Sequence, residues 1–334
     1  MAFKFEMDSA ARSRLAALGF DPASLPQKYD ECCDLCRWGV FRTISHIDRY
    51  GFDTRYQMCE GCGLVFLNPH PTEEGYAEFY AKWYRPLIAA LQGRPYDEQA
   101  ILADHLADQR AYAAKLMRFL KPHMRSTPVE LSVDLGGSTG SVAKAVQDGL
   151  GGRCLVVDPS PVELAEARKL GLECEQALAE EWSPNNRQFD LALICRSVDH
   201  LLSISSVLAK VAGCLKPGGY LFIDPLDFES WARSMLDYRK FLKIDHVYYL
   251  SDETMRLYLK AAGFDVVASD FGDGSHIRYL ARYTGDAQKP AWLTPYAREI
   301  GQILRERLVK PSPPSYPVDP LTRLVRYVRQ RLRG

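Results

Sequence analysis

The 334-residue sequence contains no apolar run that approaches the roughly 20 residues needed to cross a bilayer. It has no excess of one charge, because 42 basic side chains balance 42 acidic ones. This balance argues against a protein built to coat nucleic acid, and an apolar content of 47% excludes the low-complexity and collagen-like classes. The length favours about two domains, with enough apolar surface for a proper core.

The first 20 residues, MAFKFEMDSAARSRLAALGF, lack the features of a secretory signal. They carry Glu6 and Asp8 and contain no apolar block followed by a small-residue cleavage site. We therefore expect a cytoplasmic protein, in which thiols are normally reduced.

Five of the nine cysteines fall close together near the N-terminus. Two pairs with CxxC spacing, Cys33 with Cys36 and Cys59 with Cys62, each present two thiolates on one tight turn. Four thiolates suit a tetrahedral Zn²⁺, at about 2.3 Å per bond, and leave no open position for substrate or water. We predict a structural zinc site at these four residues, with the alternating segment between the pairs forming a short hairpin.

Other roles for these cysteines are disfavoured. A disulfide pair is disfavoured by the expected compartment, and a redox role would not need two pairs. Cys32 is an alternative ligand to Cys33, with one more residue in the loop. A nucleic-acid-binding ribbon is disfavoured, because residues 31–62 carry four arginines against five acidic side chains. The remaining cysteines lie in apolar patterns that predict small buried hydrophobes: Cys154, Cys174, Cys195 and Cys214.

The middle of the chain changes from a helical to an alternating pattern. Residues 66–127 are mainly helical, with Thr72 as an expected N-cap and with Pro122 and Pro128 expected to break the helical run. Beyond Pro128, apolar strands are separated by single helices, which predicts βαβ units and a parallel sheet. FDVVASDF and SHIRYLARY, joined through residues 272–274, predict an antiparallel hairpin at the sheet edge.

Candidate ligand-binding residues end the first two of these strands. The first strand runs into Asp134-Leu-Gly-Gly-Ser-Thr-Gly140, where glycines allow a ligand close to the backbone and the next helix points its N–H groups toward it. The second ends at Asp158, 22 residues after Gly136, a spacing at which an acid reaches ribose hydroxyls. The dinucleotide fingerprint fails because serines occupy two of its glycine positions, and no Gly-Lys-Ser/Thr follows to make a P-loop.

The chain resembles class I S-adenosylmethionine-dependent methyltransferases in five successive motifs: VDLGGSTGSVAKAV, VVDPSPVELAEAR, FDLALICRSVDHL, CLKPGGYLFIDP and YLKAAGFDVV. The upstream segment YQMCEGCGLVFLNPHPTEEGYAEFYAKWYR is similar to the zinc-binding leader of one subgroup. That subgroup includes sugar C-methyltransferases and enzymes of polysaccharide or antibiotic biosynthesis. The resemblance covers roughly residues 30–284.

This resemblance implies an α/β fold. A Rossmann-like seven-stranded methyltransferase sheet would end in an antiparallel hairpin and follow a small zinc-ribbon-like module and a helical leader. The expected division is a zinc-binding module at 1–65, a helical leader or cap at 66–127, a domain for S-adenosylmethionine at 128–287, and a basic helical extension with a Pro-rich linker at 288–334.

The resemblance also implies roles for individual residues. Asp134, Gly136 and Gly140 would shape the pocket for the methionine moiety, and Asp158 would bind the ribose hydroxyls. Ser138 departs from the family, which usually has glycine there. The implied cofactor-binding set is Asp134, Gly136, Gly137, Ser138, Gly140, Asp158, Pro159, Ala177, Leu178, Cys195 and Arg196.

Methyl transfer to a hydroxyl or a carbon acid needs a base, and histidine has a suitable pKa. We take His200 and His246 as candidates, each with a packing role as the alternative. His200 matches the histidine of the family's Glu-His pair, and Asp199, which stands at the glutamate position, is the third catalytic candidate. Substrate-binding candidates, with packing pairs or turn caps as their alternatives, are Tyr80, Tyr84, Asp224, Asp227 and Tyr248.

The sequence thus predicts a methyltransferase acting on a small molecule or glycan, with S-adenosylmethionine, a structural zinc and no nucleic-acid partner. The alternative is a non-catalytic scaffold that binds S-adenosylmethionine. Residues 291–334 carry nine basic and three acidic side chains, a charge of +6. Their last part, 321–334, has the pattern of a helix that lies on the inner face of an anionic membrane or on an acidic partner, or that packs on its own domain.

Overall fold

The structure is a computed structural model that describes residues 9–93, 95–125, 127–234, 238–271, 275–288 and 294–309. Its N-terminal part consists of short elements around the two cysteine pairs. These elements are α1 (Ser9–Ala17), β1 (Gln27–Lys28), β2 (Phe41–Ile47), β3 (Asp53–Cys59), β4 (Val65–Leu67) and β5 (His70–Pro71). β1 pairs with β5, and β2, β3 and β4 form an antiparallel sheet, so the predicted hairpin between the cysteine pairs is confirmed.

The helical leader follows as α2 (Glu73–Glu78), a π-helical turn (Phe79–Trp83), α3 (Tyr84–Gln92) and α4 (Glu98–Met124). Thr72 caps α2 as expected, because its hydroxyl accepts a hydrogen bond from the N–H of Gly75 at 3.3 Å. The expected break at Pro122 is wrong, since α4 continues through this residue to Met124. Leu120 and Met124 are buried on either side of Pro122, and this packing outweighs one lost backbone hydrogen bond in the last turn.

The second half of the chain alternates strands and helices. The elements are β6 (Leu131–Leu135), α5 (Ser141–Leu150), β7 (Arg153–Asp158), α6 (Pro161–Lys169), β8 (Glu173–Gln176), β9 (Phe189–Ile194), α7 (Ile204–Cys214), β10 (Leu215–Ile223), α8 (Phe228–Ser234), β11 (Tyr248–Tyr249), α9 (Asp252–Ala261), β12 (Phe264–Asp270), β13 (Arg278–Tyr283) and α10 (Thr294–Val309). Short 3₁₀ turns cover Val198–His200 and Tyr238–Phe241.

A seven-stranded sheet has the order β12-β13-β10-β9-β6-β7-β8. The strands from β10 to β8 are parallel, and β13 is antiparallel to both of its neighbours. The predicted α/β sheet with a terminal antiparallel hairpin is therefore confirmed, although its turn at 272–274 lies outside the described residues. The carboxyl ends of the five parallel strands meet at one edge, where open α/β sheets bind ligands.

Both faces of this sheet are buried. On one face Val156, Leu193 and Phe222 pack with Leu116 of α4 and Val142 of α5. The opposite face contributes to a second cluster that continues into the N-terminal part of the chain. Covering both faces explains why these strands are almost continuously apolar, and each buried Leu, Val or Phe contributes about 1.5–3 kcal/mol.

Two sets of contacts attach the cysteine-rich part to the seven-stranded sheet. β11 pairs with β4, so the N-terminal sheet of β2, β3 and β4 gains a strand from beyond β10. The carboxylate of Asp34 accepts hydrogen bonds from the Ser203 hydroxyl at 2.7 Å and the Ser205 N–H at 3.0 Å, at the start of α7. It also accepts one from the Tyr258 hydroxyl of α9 at 2.9 Å. The first cysteine pair is thereby fixed to two helices of the larger sheet.

None of the helices in the described ranges combines the length and apolar character required to traverse a bilayer. The Pro-rich linker and the amphipathic segment 321–334 lie outside the described residues.

Candidate active site

The loop at residues 136–140 joins β6 to α5 in a conformation with three left-handed residues. Gly136 and Gly140 both have φ of 74°, and a Cβ on Gly140 would lie 2.6 Å from Leu172. Ser138 has φ of 50°, where a serine is strained and a glycine is not. The N–H of Ser138 donates to Asp158 Oδ2 at 2.9 Å, which closes the loop against the end of β7.

Asp134, at the end of β6, is fully buried beneath this loop. Among the described residues, no hydrogen-bond donor reaches either of its carboxyl oxygens. Burial, together with the charges of Asp158 and Asp224, raises the pKa of Asp134 to about 8. A buried carboxyl group without donors is costly unless a ligand supplies them, so the group fits a cationic or N–H-bearing ligand.

Asp158 ends β7 with both of its oxygens engaged. Oδ1 accepts a hydrogen bond from the N–H of Ser160 at 2.8 Å, and Oδ2 accepts the one from the N–H of Ser138. Burial raises the pKa of Asp158 to about 7. Each carboxylate oxygen keeps a second lone pair, so a ribose hydroxyl remains a suitable partner.

The residues expected around the adenine lie next to Asp158. The N–H of Ala177 donates to the Asp158 carbonyl oxygen at 3.3 Å, and Leu178 follows directly. The carbonyl of Pro159 accepts from Gln176 at 3.2 Å. Three residues after the ends of β7 and β8 are partly exposed on one side of the crevice: Pro159, Ala177 and Leu178.

Helix α4 contacts the crevice through side chains that the sequence motifs did not indicate. His105 Nε2 lies 2.9 Å from Ser138 Oγ, and Asp108 accepts from the guanidinium of Arg196 at 2.8 Å. The spacing of these residues and Tyr112 along one helix face was the available signal. The serine that replaces the family's glycine is thus the group that joins the loop to α4.

A further contact of α4 lies at the ends of β9 and β10. The Tyr112 hydroxyl donates to Asp224 Oδ2 at 2.6 Å, and the N–H of Arg196 donates to Asp224 Oδ1 at 2.7 Å. The Arg196 guanidinium lies 4.2 Å from the centre of the Tyr112 ring. Burial raises the pKa of Asp224 to about 6. Cys195, directly before Arg196, is buried as expected of a small hydrophobe.

The two candidate base residues are in contact. The rings of His200 and His246 are 4.5 Å apart, centre to centre, in an edge-to-face arrangement. Burial lowers the pKa of His200 to about 4 and that of His246 well below its usual value. His246 Nδ1 is buried and has no partner within the described part of the chain. Both rings are therefore neutral near neutral pH, and a neutral imidazole has a lone pair that accepts a proton.

Asp245 adds a carboxylate to this histidine pair. Its Oδ2 lies 3.7 Å from His246 Nε2 and 3.3 Å from Lys243 Nζ. Burial raises the pKa of Asp245, but lowering effects, of which the charge of Lys243 is the largest, outweigh it and bring the pKa below its usual value. Two histidines and a carboxylate are also a metal-ligand set within 4.8 Å of one another. The Lys243 ammonium beside the carboxylate opposes a cation there and favours acid–base chemistry.

The π-helical turn before α3 brings Tyr80 to the histidines. The Tyr80 hydroxyl lies 2.7 Å from His200 Nδ1, and its ring is 5.2 Å from that of Tyr84. Single π-turns often occur at functional sites. Of the predicted pair, Tyr80 therefore contacts a candidate base, and Tyr84 packs beside it.

Three other predicted site residues are engaged in local contacts. Asp199 is buried, accepts from the N–H of Leu226 at 3.2 Å, and has a pKa raised by burial to about 8. Asp227 Oδ1 accepts from the N–H of Ser230 at 3.0 Å, which is the turn-cap alternative. The buried Tyr248 donates its hydroxyl to the carbonyl of Leu202 at 3.0 Å.

The four predicted zinc ligands converge at one point. Their sulfur atoms lie within 4.8 Å of one another, with 3.6 Å between those of Cys33 and Cys62 and 3.5 Å between those of Cys36 and Cys59. None of the four forms a disulfide bond with another described cysteine. Tetrahedral Zn–S bonds of about 2.3 Å require sulfur separations of roughly 3.8 Å, so the cluster fits the ion. Cys32 is exposed and lies outside the cluster.

The strand order and the loop-and-acid crevice at the carboxyl edge define an α/β protein with the Rossmann-like methyltransferase fold. The family described as "Methyltransferase domain" matches residues 104–269. The chain therefore carries an S-adenosylmethionine-dependent methyltransferase domain over about half of its length.

Similar proteins include a ubiquinone biosynthesis O-methyltransferase from Rhodopseudomonas palustris (strain BisB18). It is 30% identical over 106 residues, which cover 30% of this chain and 40% of that protein. The chain thus spans about two fifths of the length of this curated relative.

The solved structures to which this chain is similar include two of low identity. The structure of Streptomyces venezuelae DesVI is 16% identical, with a TM-score of 0.45 over 55% of this chain and 98% of that one. A possible histamine N-methyltransferase from Thermotoga maritima is 18% identical, with a TM-score of 0.43 over 55% of this chain and 95% of that one.

We expect Ser138→Ala to release the first half of α4 from the loop, because alanine keeps the strained backbone and loses the hydroxyl that meets His105. Losing one hydrogen bond of about 1 kcal/mol should speed hydrogen exchange of amides 98–112 by about fivefold. Ser138→Gly should exchange as fast, yet be about 1 kcal/mol more stable than the alanine variant. Ser206→Ala, at an exposed position of α7, is the matched control. Unchanged exchange in both Ser138 variants would contradict this role.

Proposed function

We propose that this protein transfers the methyl group of S-adenosylmethionine to a small molecule or glycan, with a histidine as general base. The observation that carries the proposal is a crevice with an unpartnered buried carboxyl group beside a pair of neutral buried histidines. The two parts are adjacent, because the Ser197 hydroxyl donates to the Leu135 carbonyl at 3.1 Å. Ser197 begins the turn that carries His200, and Leu135 ends β6.

The crevice residues suit the cofactor. When bound, S-adenosylmethionine supplies a reactive sulfonium methyl group. Asp134 offers a carboxyl group to its positive charge, and Asp158 offers lone pairs to its ribose. Gly137 leaves room beside Asp134, since a Cβ there would lie 2.9 Å from Asp134 Cγ. The left-handed Ser138 preserves the loop shape that the family builds with glycine.

The histidine cluster suits the acceptor. A neutral His246 or His200 takes the proton that a hydroxyl or carbon acid loses when it attacks the methyl group. The ionised Asp245 beside His246 stabilises the imidazolium that results. Tyr80 holds the ring of His200 through their hydrogen bond. Aligning the acceptor is then the main task left to the protein.

The class of acceptor is inferred from the segment that contains the second cysteine pair and the start of the helical leader. Its similarity to sugar C-methyltransferases and enzymes of polysaccharide biosynthesis supports an acceptor of that class. The zinc would be structural, since four thiolates leave no open position. The same proposal includes the division of the chain into four parts. It also includes a peripheral contact between residues 321–334 and the inner face of the membrane.

A non-catalytic scaffold is the second candidate, and Asp199 in place of the family's glutamate favours it. Calorimetry with S-adenosylmethionine and a screen for S-adenosylhomocysteine formation over sugar nucleotides separate the two. A scaffold binds the donor without forming that product, whereas the enzyme does both.

The affinity for S-adenosylmethionine should rise about tenfold between pH 7 and pH 9. Asp134 has a pKa of about 8 in the free protein. Only its ionised form attracts the positive charge of S-adenosylmethionine, so the carboxyl group must lose its proton for tight binding. Calorimetry in buffers of different ionisation enthalpy measures both the affinity and the released proton. Asp134→Asn should bind weakly and release fewer protons, while Asp148→Asn, on the exposed face of α5, should match the wild type. A pH-independent wild-type affinity would exclude this role.

His200→Ala and His246→Ala should each lower turnover by about a hundredfold or more, with S-adenosylmethionine affinity nearly unchanged. Turnover is measured as S-adenosylhomocysteine formed with an active sugar nucleotide. Because both rings are buried, His200→Gln and His246→Gln test the same loss with less disturbance of packing. His46→Ala, exposed on β2, is the control. Near-wild-type turnover would remove the substituted histidine from the mechanism.

The purified protein should contain one zinc ion per chain, measured by mass spectrometry of the metal. Cys36→Ser should lose the ion and lower the melting temperature, because the site links both cysteine pairs. Cys32→Ser, outside the cluster, should keep the metal and the stability. Equal zinc contents in the two variants would show that the cluster is not the metal site.

A further inference from the structure

A cavity of about 410 Å³ lies between the second half of α4 and strands β12 and β13. Four of its lining side chains are basic, two are apolar and one is acidic. They are Lys115, Arg118, His123, Arg278, Phe119, Pro122 and Asp270. The site described above uses none of these residues, so the cavity has no assigned role.

Arg278 is the most buried cation of the cavity. Its side chain is 13% exposed, and its Nη1 donates to Asp270 Oδ2 at 2.9 Å. Its Nε is buried and has no acceptor among the described residues. A buried guanidinium N–H without an acceptor is unfavourable, so the group calls for an oxygen from a ligand.

Arg118 supplies a second guanidinium from the opposite wall. It is exposed on α4 and has no ion-pair partner within the described ranges. Phe119, beside it, is partly exposed and gives the cavity an aromatic surface. Paired guanidinium groups match phosphate oxygens, which they bind with two parallel N–H···O bonds.

The cavity adjoins the candidate active site. The N–H of Ile277 donates to the carbonyl of Pro225 at 3.0 Å, so Arg278 follows directly after a contact with the end of β10. On α4, Lys115 lies about one turn beyond Tyr112, which holds Asp224. An anion in the cavity would thus lie beside the residues that close the crevice.

We propose that this cavity binds a phosphate-type anion between Arg118 and Arg278. Anion binding stands apart from methyl transfer; only its assignment to the acceptor rests on the proposed function. A phosphorylated acceptor would keep its reactive part toward the histidines and its phosphates in the cavity. A free inorganic anion would use the same guanidinium groups without Phe119.

Calorimetry of the full chain with inorganic pyrophosphate and with uridine diphosphate tests this proposal. We expect both to bind, with affinity that falls as NaCl rises. Arg118→Gln should weaken binding by about five- to tenfold, because one charged donor pair is lost. Arg278→Lys keeps the positive charge but loses the paired N–H donors of the guanidinium, so it should weaken binding by a similar factor. Arg153→Gln, an exposed arginine at the start of β7 on the far edge of the sheet, is the matched control.

The two ligands distinguish the source of the anion. Tighter binding of uridine diphosphate points to a phosphorylated organic ligand in contact with Phe119, and equal binding points to the free anion. Absence of binding by both, or equal losses in Arg118→Gln and Arg153→Gln, would overturn the proposal. Arg118 is exposed, so its variant stays informative if Arg278→Lys fails to fold. A separate titration with S-adenosylmethionine shows whether the proposed function fails independently.

Discussion

Buried carboxyl groups at the carboxyl ends of parallel strands are the constraint on which the rest of this structure depends. Burial raises the pKa of each, to values between about 6 and 8. A buried carboxyl group needs hydrogen-bond donors, and the loops supply them as backbone N–H groups. Ser138 and Arg196 adopt left-handed backbone angles as they donate to Asp158 and Asp224. Asp134 lacks such a donor, and this makes it the point at which a ligand completes the site.

The elements outside the seven-stranded sheet act on this edge from two sides. Helix α4 reaches it through His105 and Tyr112, and the leader reaches the histidine pair through Tyr80. The cysteine cluster acts at a distance, since Asp34 joins its first turn to α7 and α9. Through these contacts the helical leader and the cysteine-rich part hold the loops and helices around the sheet edge. Each fixes a loop that the sheet alone would leave exposed.

The parts of the site that the strand pattern alone located are those at the strand ends. Asp134 and Asp158 end strands with a strong apolar pattern, so periodicity located them and the spacing between them suggested a nucleotide-like ligand. The cysteine pairs were equally clear, because CxxC spacing is itself a local geometry. Tyr112 and His105 lay in a helix whose pattern shows only one apolar face. Nothing in that pattern indicates which strand end the polar side chains will meet.

The sequence by itself determined the strands, the sheet type and the residues at the strand ends, because each depends on the alternation and spacing of neighbours along the chain. Only the tertiary structure decided that His200 touches His246, that Ser138 meets α4, and that Arg118 and Arg278 face one cavity. Those pairs are separated by tens to more than a hundred positions. Their contact depends on how helices and sheets pack, and local pattern carries no record of that packing.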